Sequence, residues 1–226
     1  VRCAADRVLD VYLTETARNR HSGIWEEARA AGLYVHLTSE RVMAAMSTDS
    51  QGVLAVVVMD EAAGPGALVA ALSGAMLVVV LTEAQDPGNA GAIIRAADAA
   101  GADAVVLLRG SVDATSPKVV RSSAGSLFHL PVITGVTLDD AVAALHEADL
   151  AVVAADSRGA LDLFDADVVL EGPIAWLLGN EARGLPPEAL SRADAVISIP
   201  VRGRAESLNV ATAAAVCLYA SARAQH

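Results

Sequence analysis

Short runs of almost uninterrupted apolar residues recur along the chain, and segments of helical character separate them. The clearest runs are residues 76–82 (MLVVVLT), 104–108 (AVVLL), 150–157 (LAVVAADS), 174–181 (IAWLLGNE) and 195–201 (AVISIPV). Strands that are apolar on both faces are typical of parallel sheets that helices cover on both sides. The sequence therefore predicts an α/β fold built on a mostly parallel sheet.

A change in composition near residues 60–74 predicts a domain boundary, because Gly64-Pro65-Gly66 is a turn or linker signal. Ahead of it the alternation continues in a shorter form, with strands predicted at 33–39 (LYVHLTS) and 52–59 (GVLAVVVM), the second of them buried. We expect a small domain over residues 1–62, a linker over 63–74 and a larger domain over 75–226. The first residue is Val1 rather than Met, and we expect the first domain to lack its beginning.

Composition excludes several classes of protein. No apolar run approaches the ~20 residues of a membrane helix, and no secretory signal opens the chain. The two cysteines lack metal-site spacing, so we expect reduced thiols, a cytoplasmic protein and no metal. A net charge of −11 argues against broad electrostatic binding to nucleic acid, although it leaves room for a local basic patch.

Polar residues follow the predicted strands at the points where ligands bind in α/β sheets. Asn89 and Arg95 lie in 86–101 (DPGNAGAIIRAADAAG), Asp156 follows a second strand, and Gly179-Asn180-Glu181 follow a third. No GxGxxG follows a strand, and neither GxxxxGK[ST] nor GxSxG occurs, which disfavours dinucleotide dehydrogenases, P-loop NTPases and serine hydrolases.

Three segments together resemble the motifs of the SpoU (TrmH-type) branch of the SPOUT RNA methyltransferases, in matching order and spacing. They are residues 86–101, 177–186 (LLGNEARGLP) and 199–219 (IPVRGRAESLNVATAAAVCLY). Residues 51–57 (QGVLAVV), with the α/β segment before them, resemble the end of the ribosomal-protein-L30e-like substrate-binding domain. That domain often precedes the catalytic one in enzymes that modify ribosomal RNA.

The resemblance implies transfer of a methyl group from S-adenosylmethionine to a ribose 2′-hydroxyl of RNA. It also implies a C-terminal trefoil knot and a homodimer whose active sites are completed across the interface. The expected cofactor-binding residues are Ala155, Asp156, Gly179, Asn180, Ile199 and Leu208. The expected catalytic residues are Asn89, Arg95, Glu181, Ser207 and Asn209. Because a guanidinium does not readily lose its proton, we hypothesise that Arg95 binds a neighbouring phosphate and stabilises the developing alkoxide.

Other roles remain open for these residues. Asn89 and Ser207 also suit helix N-caps, and Asp156 suits a turn. We expect RNA contacts from Arg121, Arg18 and Arg20, with a helix cap or a solvated loop as the alternatives. Ribosomal RNA is the favoured substrate because of the front domain. The alternatives are a transfer-RNA methyltransferase, a small-molecule methyltransferase, and a non-catalytic RNA-binding or ribosome-assembly protein on the same fold.

Overall fold

A computed structural model describes residues 4–59, 62–180 and 183–226 of the chain. The chain divides into two compact units, Val1–Asp60 and Glu61–His226.

The first unit is built on a three-stranded sheet. Its elements are β1 (Val8–Thr14), α1 (Glu15–Arg20), α2 (Ser22–Ala30), β2 (Tyr34–Thr38), α3 (Glu40–Met46) and β3 (Val53–Val57). The strand order is β2-β1-β3, with β2 parallel and β3 antiparallel to β1. The sequence predicted a buried strand at β3, and this was wrong: β3 is an edge strand, and Val56 is 39% exposed.

The second unit is built on a seven-stranded sheet. Its elements are α4 (Gly64–Ala71), β4 (Leu77–Leu81), α5 (Pro87–Ala100), β5 (Ala104–Leu108), α6 (Pro117–Ser122), β6 (Val132–Val136), α7 (Leu138–Glu147), β7 (Ala151–Ala155), β8 (Leu161–Asp162), α8 (Asp167–Leu170), β9 (Ile174–Leu178), α9 (Pro187–Arg192), β10 (Ala195–Ser198) and α10 (Val210–Gln225). The strand order is β6-β5-β4-β9-β7-β10-β8, and every pairing is parallel. The predicted α/β fold with a mostly parallel sheet is confirmed.

The core of the second unit lies around the central strands. Every residue of β4, β5 and β9 is buried, as expected for strands that helices cover on both sides. Trp176 of β9 is fully buried, and its Nε1 donates a hydrogen bond to Ser221 Oγ of α10 at 2.9 Å. The C-terminal helix is thereby fixed to the middle of the sheet.

Most of the expected linker at 63–74 forms helix α4, which runs from Gly64 to Ala71. Leu68 and Leu72, four residues apart on one face of this segment, are buried in the core of the second unit. Strands β6 and β8 were not predicted from the sequence, because Gly135 interrupts the first and the second has only two residues.

Within the ranges that the structure describes, no helix is both long enough and apolar enough to cross a membrane.

Candidate functional site

A cleft of about 480 Å³ opens beyond the carboxyl ends of β7, β9 and β10. The segments that follow these three strands supply most of its lining. All six residues expected to hold the cofactor line this cleft, and Ser207 lines it with them; the six are Ala155, Asp156, Gly179, Asn180, Ile199 and Leu208. The structure thus brings together residues that come from three separate parts of the sequence.

Backbone atoms form much of the wall after β9. Asn180 N–H donates to Gly184 O at 3.1 Å, and Gly184 N–H donates to Asn180 O at 2.8 Å. A Cβ atom added to Gly179 would collide with the backbone of Gly184 and Leu185. Gly184 has a φ of +67°, in the left-handed region that favours glycine. Gly179 therefore permits a close backbone approach that a larger residue would block, and Gly184 supplies the left-handed backbone conformation.

Asp156 enters the cleft already bound by an arginine. The Arg158 guanidinium donates two hydrogen bonds to its carboxylate, from Nε to Oδ1 at 2.7 Å and from Nη2 to Oδ2 at 2.9 Å. The Arg158 backbone N–H also donates to Oδ1 at 2.9 Å, as in an Asx turn. These hydrogen bonds lower the pKa of Asp156, whose side chain is only 8% exposed. Sequence reasoning missed Arg158, although an arginine two residues after an aspartate was a signal for such a pair.

A second arginine of the cleft ties two loops together. Arg183 Nη2 donates to Glu83 Oε2 at 2.7 Å, and Asn180 Nδ2 donates to Glu83 O at 2.9 Å. Glu83, in the loop after β4, has a φ of +53°, which few residues other than glycine adopt. These contacts fasten the loop that leads into α5 to the cleft loop after β9. Glu83 and Arg183 are a hundred residues apart in sequence, so no local pattern predicts the pair.

Asn209 is the N-cap of α10, and it also contacts the first motif. Its Oδ1 accepts hydrogen bonds from the backbone N–H groups of Ala211 at 2.9 Å and Thr212 at 3.3 Å. Its Nδ2 donates to Asn89 Oδ1 at 3.1 Å. One side chain therefore caps a helix and joins two motifs that lie 120 residues apart.

The alternative roles of Asn89 and Ser207 as helix N-caps were wrong. Asp86, rather than Asn89, caps α5, and its Oδ1 accepts from Asn89 N–H at 2.8 Å. That hydrogen bond lowers the pKa of Asp86. Ser207 precedes the cap of α10 by two residues, so its hydroxyl is available to the cleft that it lines.

Neither Arg95 nor Arg121 belongs to the cleft lining. Arg95 is exposed on α5, and Arg121 is exposed on α6. In the first unit, Arg18 lies over the ring of Trp25 at 5.0 Å from its centre, and Arg20 is exposed at the end of α1. Glu181 lies outside the described residues.

No group of three or more histidine, cysteine, aspartate or glutamate side chains suited to a metal ion occurs in the described part of the chain.

Comparison with known proteins gives consistent matches. A sequence model of the SpoU rRNA Methylase family matches residues 76–219. The 23S rRNA (guanosine-2′-O-)-methyltransferase RlmB of Bordetella pertussis is 32% identical over 99% of this chain and 92% of its own length. The crystal structure of the SpoU methyltransferase AviRb from Streptomyces viridochromogenes superposes with a TM-score of 0.84 at 28% identity, covering 99% of this chain and 86% of that one. The AdoMet-bound rRNA methyltransferase from Sinorhizobium meliloti has a TM-score of 0.80 at 29% identity, covering 99% and 85%.

Proposed function

The chain belongs to the SpoU rRNA Methylase family, and on that premise we propose that it methylates a ribose 2′-hydroxyl of RNA with S-adenosylmethionine as the methyl donor. The observation that carries the proposal is the cleft beyond β7, β9 and β10, where the six expected cofactor residues and Ser207 meet. Ribosomal RNA is the favoured substrate, because a relative that matches this chain over nearly its whole length is named for 23S rRNA. We place this activity in the cytoplasm, where ribosomal RNA is found.

The cleft suits S-adenosylmethionine in size and lining. Its volume of about 480 Å³ lies within the range of ~300–1,000 Å³ that is usual for small-molecule sites. The loops at Ala155, Gly179 and Ile199 would hold the cofactor mainly through backbone groups. An ionised carboxylate offers about four acceptor positions, of which Arg158 uses three at Asp156. One position therefore remains for a cofactor hydroxyl. When bound, the cofactor supplies a methyl group that its sulfonium centre already activates.

The protein contributes mainly alignment and charge. Positioning alone lowers a barrier by about 7–11 kcal/mol in well-oriented cases. Ser207 presents a hydroxyl in the cleft, while the Asn89–Asn209 hydrogen bond holds the first and third motifs in register. We propose that Arg95 binds a phosphate beside the target ribose and stabilises the developing alkoxide. The hydroxyl proton then passes to that phosphate or to water, because the guanidinium keeps its own.

Two copies of the chain are needed for this arrangement. Arg95 and Asn89 lie outside the lining of their own cleft, so we propose a homodimer in which Arg95 of one copy faces the cleft of the other. Exposed apolar surface at Leu208 and at Tyr219 of α10 suits such an interface. We further propose that the cleft loops belong to a trefoil knot, as in the family, and that Glu181 is part of the catalytic set. Arg121, Arg18 and Arg20 are assigned to RNA contacts.

The proposal is tested by cofactor binding and by mapping of the product. Calorimetry with S-adenosylmethionine should show heat of binding, and 2′-O-methyl nucleosides should appear by mass spectrometry in 23S rRNA transcribed in vitro. Transfer RNA is tested in parallel, and RNA from cells with and without the gene identifies the nucleotide. Arg95→Lys keeps the charge but loses the planar fork, so it should bind the cofactor normally and turn over slowly. A protein that gives no heat with the cofactor and yet binds RNA would be a non-catalytic RNA-binding protein.

A further inference from the structure

Most arginines of the second unit are engaged within the chain. Four of them form ion pairs with carboxylates: Arg158 with Asp156, Arg183 with Glu83, Arg192 with Asp139 and Arg223 with Asp167. Arg109 donates a hydrogen bond to the Gly135 carbonyl. Arg121 also has a partner. Across the part of this unit that the structure describes, Arg95, Arg202 and Arg204 alone have none. Arg95 already has a proposed role, whereas Arg202 and Arg204 do not.

Arg202 and Arg204 lie on the segment between β10 and α10. Every residue from 201 to 209 is exposed, and a Cβ atom added to Gly203 would meet nothing within 4 Å. The same segment contributes Val201 and Ser207 to the cleft. The two arginines are therefore exposed to solvent beside the site where methyl transfer is proposed.

These two arginines have no ion-pair partner within the described residues, although acidic residues outnumber basic ones in this chain. The net charge is −11, with 27 acidic residues against 16 basic ones. Glu206, two residues from Arg204, forms no ion pair with it among the described contacts. An exposed arginine without a partner contributes little to stability, and a chain with this charge repels RNA at long range. A positive pair beside the cleft offsets that repulsion where RNA has to approach.

We infer that Arg202 and Arg204 bind backbone phosphates of the RNA next to the ribose that is methylated. The inference rests on the proposed function and adds a contact surface to it. Their Cα atoms are at most about 7 Å apart, so they reach the same phosphate or neighbouring phosphates of one strand. The planar guanidinium fork binds phosphate oxygens in pairs, which a lysine does not do. Such contacts position the strand and carry no sequence information themselves.

The test compares two double variants with equal loss of positive charge. Arg202→Gln with Arg204→Gln removes the proposed contacts, whereas Arg192→Gln with Arg223→Gln removes arginines that already hold Asp139 and Asp167. The probe is 23S rRNA transcribed in vitro, and its affinity is measured from 50 to 300 mM KCl, concentrations chosen to span roughly physiological ionic strength.

The first variant should weaken binding by roughly tenfold or more, which corresponds to about 1.4 kcal/mol, because it removes two charge-assisted phosphate contacts. Its plot of log K against log salt should be shallower by about 1.4, because each single-strand contact contributes about 0.7 to the slope. The control should change affinity less than threefold. Tryptophan fluorescence and the molecular mass in solution should match wild type for both variants. Affinity for S-adenosylmethionine should also be unchanged.

Three results would overturn the inference: an unchanged salt slope, an equal loss of affinity in the control, or dissociation of the assembled protein by the first variant alone. If the wild-type protein did not bind S-adenosylmethionine, that result would count against the proposed function instead. The comparison of salt slopes would still decide the role of the two arginines.

Discussion

Replacing Asn209 tests whether one side chain both begins α10 and joins the first and third motifs. Asn209→Ala removes the acceptor of the N-cap and the donor to Asn89. Asn209→Asp keeps an acceptor for the N–H groups of Ala211 and Thr212 but removes the donor. Asn89→Ala removes the bond between the motifs and leaves the N-cap of α10 in place. The three variants separate the two roles of the side chain.

The magnitudes follow from the contacts. Loss of an N-cap costs about 1 kcal/mol, and loss of a hydrogen bond between side chains costs about another 1 kcal/mol. Asn209→Ala should therefore lower the free energy of unfolding of the second unit by about 2 kcal/mol. In Asn209→Asp the cap remains, and a carboxylate at a helix N-terminus contributes about 0.3–1 kcal/mol. That variant should stay within about 1 kcal/mol of wild type.

Trp176 provides the assay. The chain has two tryptophans, so Trp25→Phe leaves Trp176 as the only reporter. Its ring is buried against the sheet, and its Nε1 is bonded to Ser221 of α10, so its emission changes when α10 leaves the sheet. Urea titrations of the variants in this background give the free energies. With the double variant Asn89→Ala, Asn209→Ala they also give the coupling energy between Asn89 and Asn209 in a double-mutant cycle.

A coupling energy near zero would show that the Asn89–Asn209 bond does not contribute to stability. If Asn209→Ala were as stable as Asn209→Asp, the cap assignment would be wrong. If the N-cap and the Asn89–Asn209 bond are both confirmed, and Asn209→Asp is folded but inactive, the hydrogen bond donated to Asn89 matters for alignment. The loss of activity then cannot be attributed to unfolding.

Three further predictions follow from single sites. Burial raises the pKa of the Cys217 thiol to about 12. In a Cys3→Ser variant, a disulfide reagent at pH 8 should therefore label Cys217 only as urea unfolds the second unit. Labelling of the native protein at the rate of a free thiol would contradict this. Gly91→Ala should destabilise the second unit by about 1–3 kcal/mol, because the added methyl collides with a serine and the backbone of α6, whereas Gly66→Ala, with open space around it, should be neutral or slightly stabilising by urea unfolding. The lowered pKa of Asp156 adds stability that is complete above the unfolded pKa of about 3.9 and is lost as pH falls through the lower folded value. The stability advantage of wild type over Asp156→Asn should therefore be constant above about pH 5 and shrink below about pH 4. A difference that stays constant in acid would refute the assignment.

The sequence predicted the central strands because burial leaves a direct signature. The runs that became β4, β5 and β9 are apolar at every position, and in the structure every one of those residues is buried. The same pattern carries no information on neighbours. The order β4-β9-β7-β10 places strands from distant parts of the chain side by side, and nothing in an apolar run specifies its partner.

Helix α4 shows how one local signal has two meanings. Gly64-Pro65-Gly66 predicts a linker, yet proline is also favoured in the first turn of a helix, where its missing N–H has no partner to lose. The apolar spacing that follows distinguishes the two, because Leu68 and Leu72 lie on one face and are both buried in the core. A glycine–proline segment can therefore be assigned to a linker or to a helix start only when the next two turns of sequence are considered.

The candidate site divides in the same way between local and distant information. Two of the three motifs, residues 177–186 and 199–219, contain loops that line the cleft, and each of these loops is contiguous in sequence. The contacts that shape it are not contiguous: Asn180 accepts from Arg183 N–H with its side-chain oxygen and donates to the Glu83 carbonyl with its amide. Asn180 is 8% exposed, so its side chain mainly serves its own loop, and the surface left to a cofactor there is largely backbone. The motif residue at this position therefore acts by holding the loop after β9 against the loop after β4, which explains why its partner Glu83, with its unusual φ, belongs to the construction of the site although no pattern in the sequence marks it.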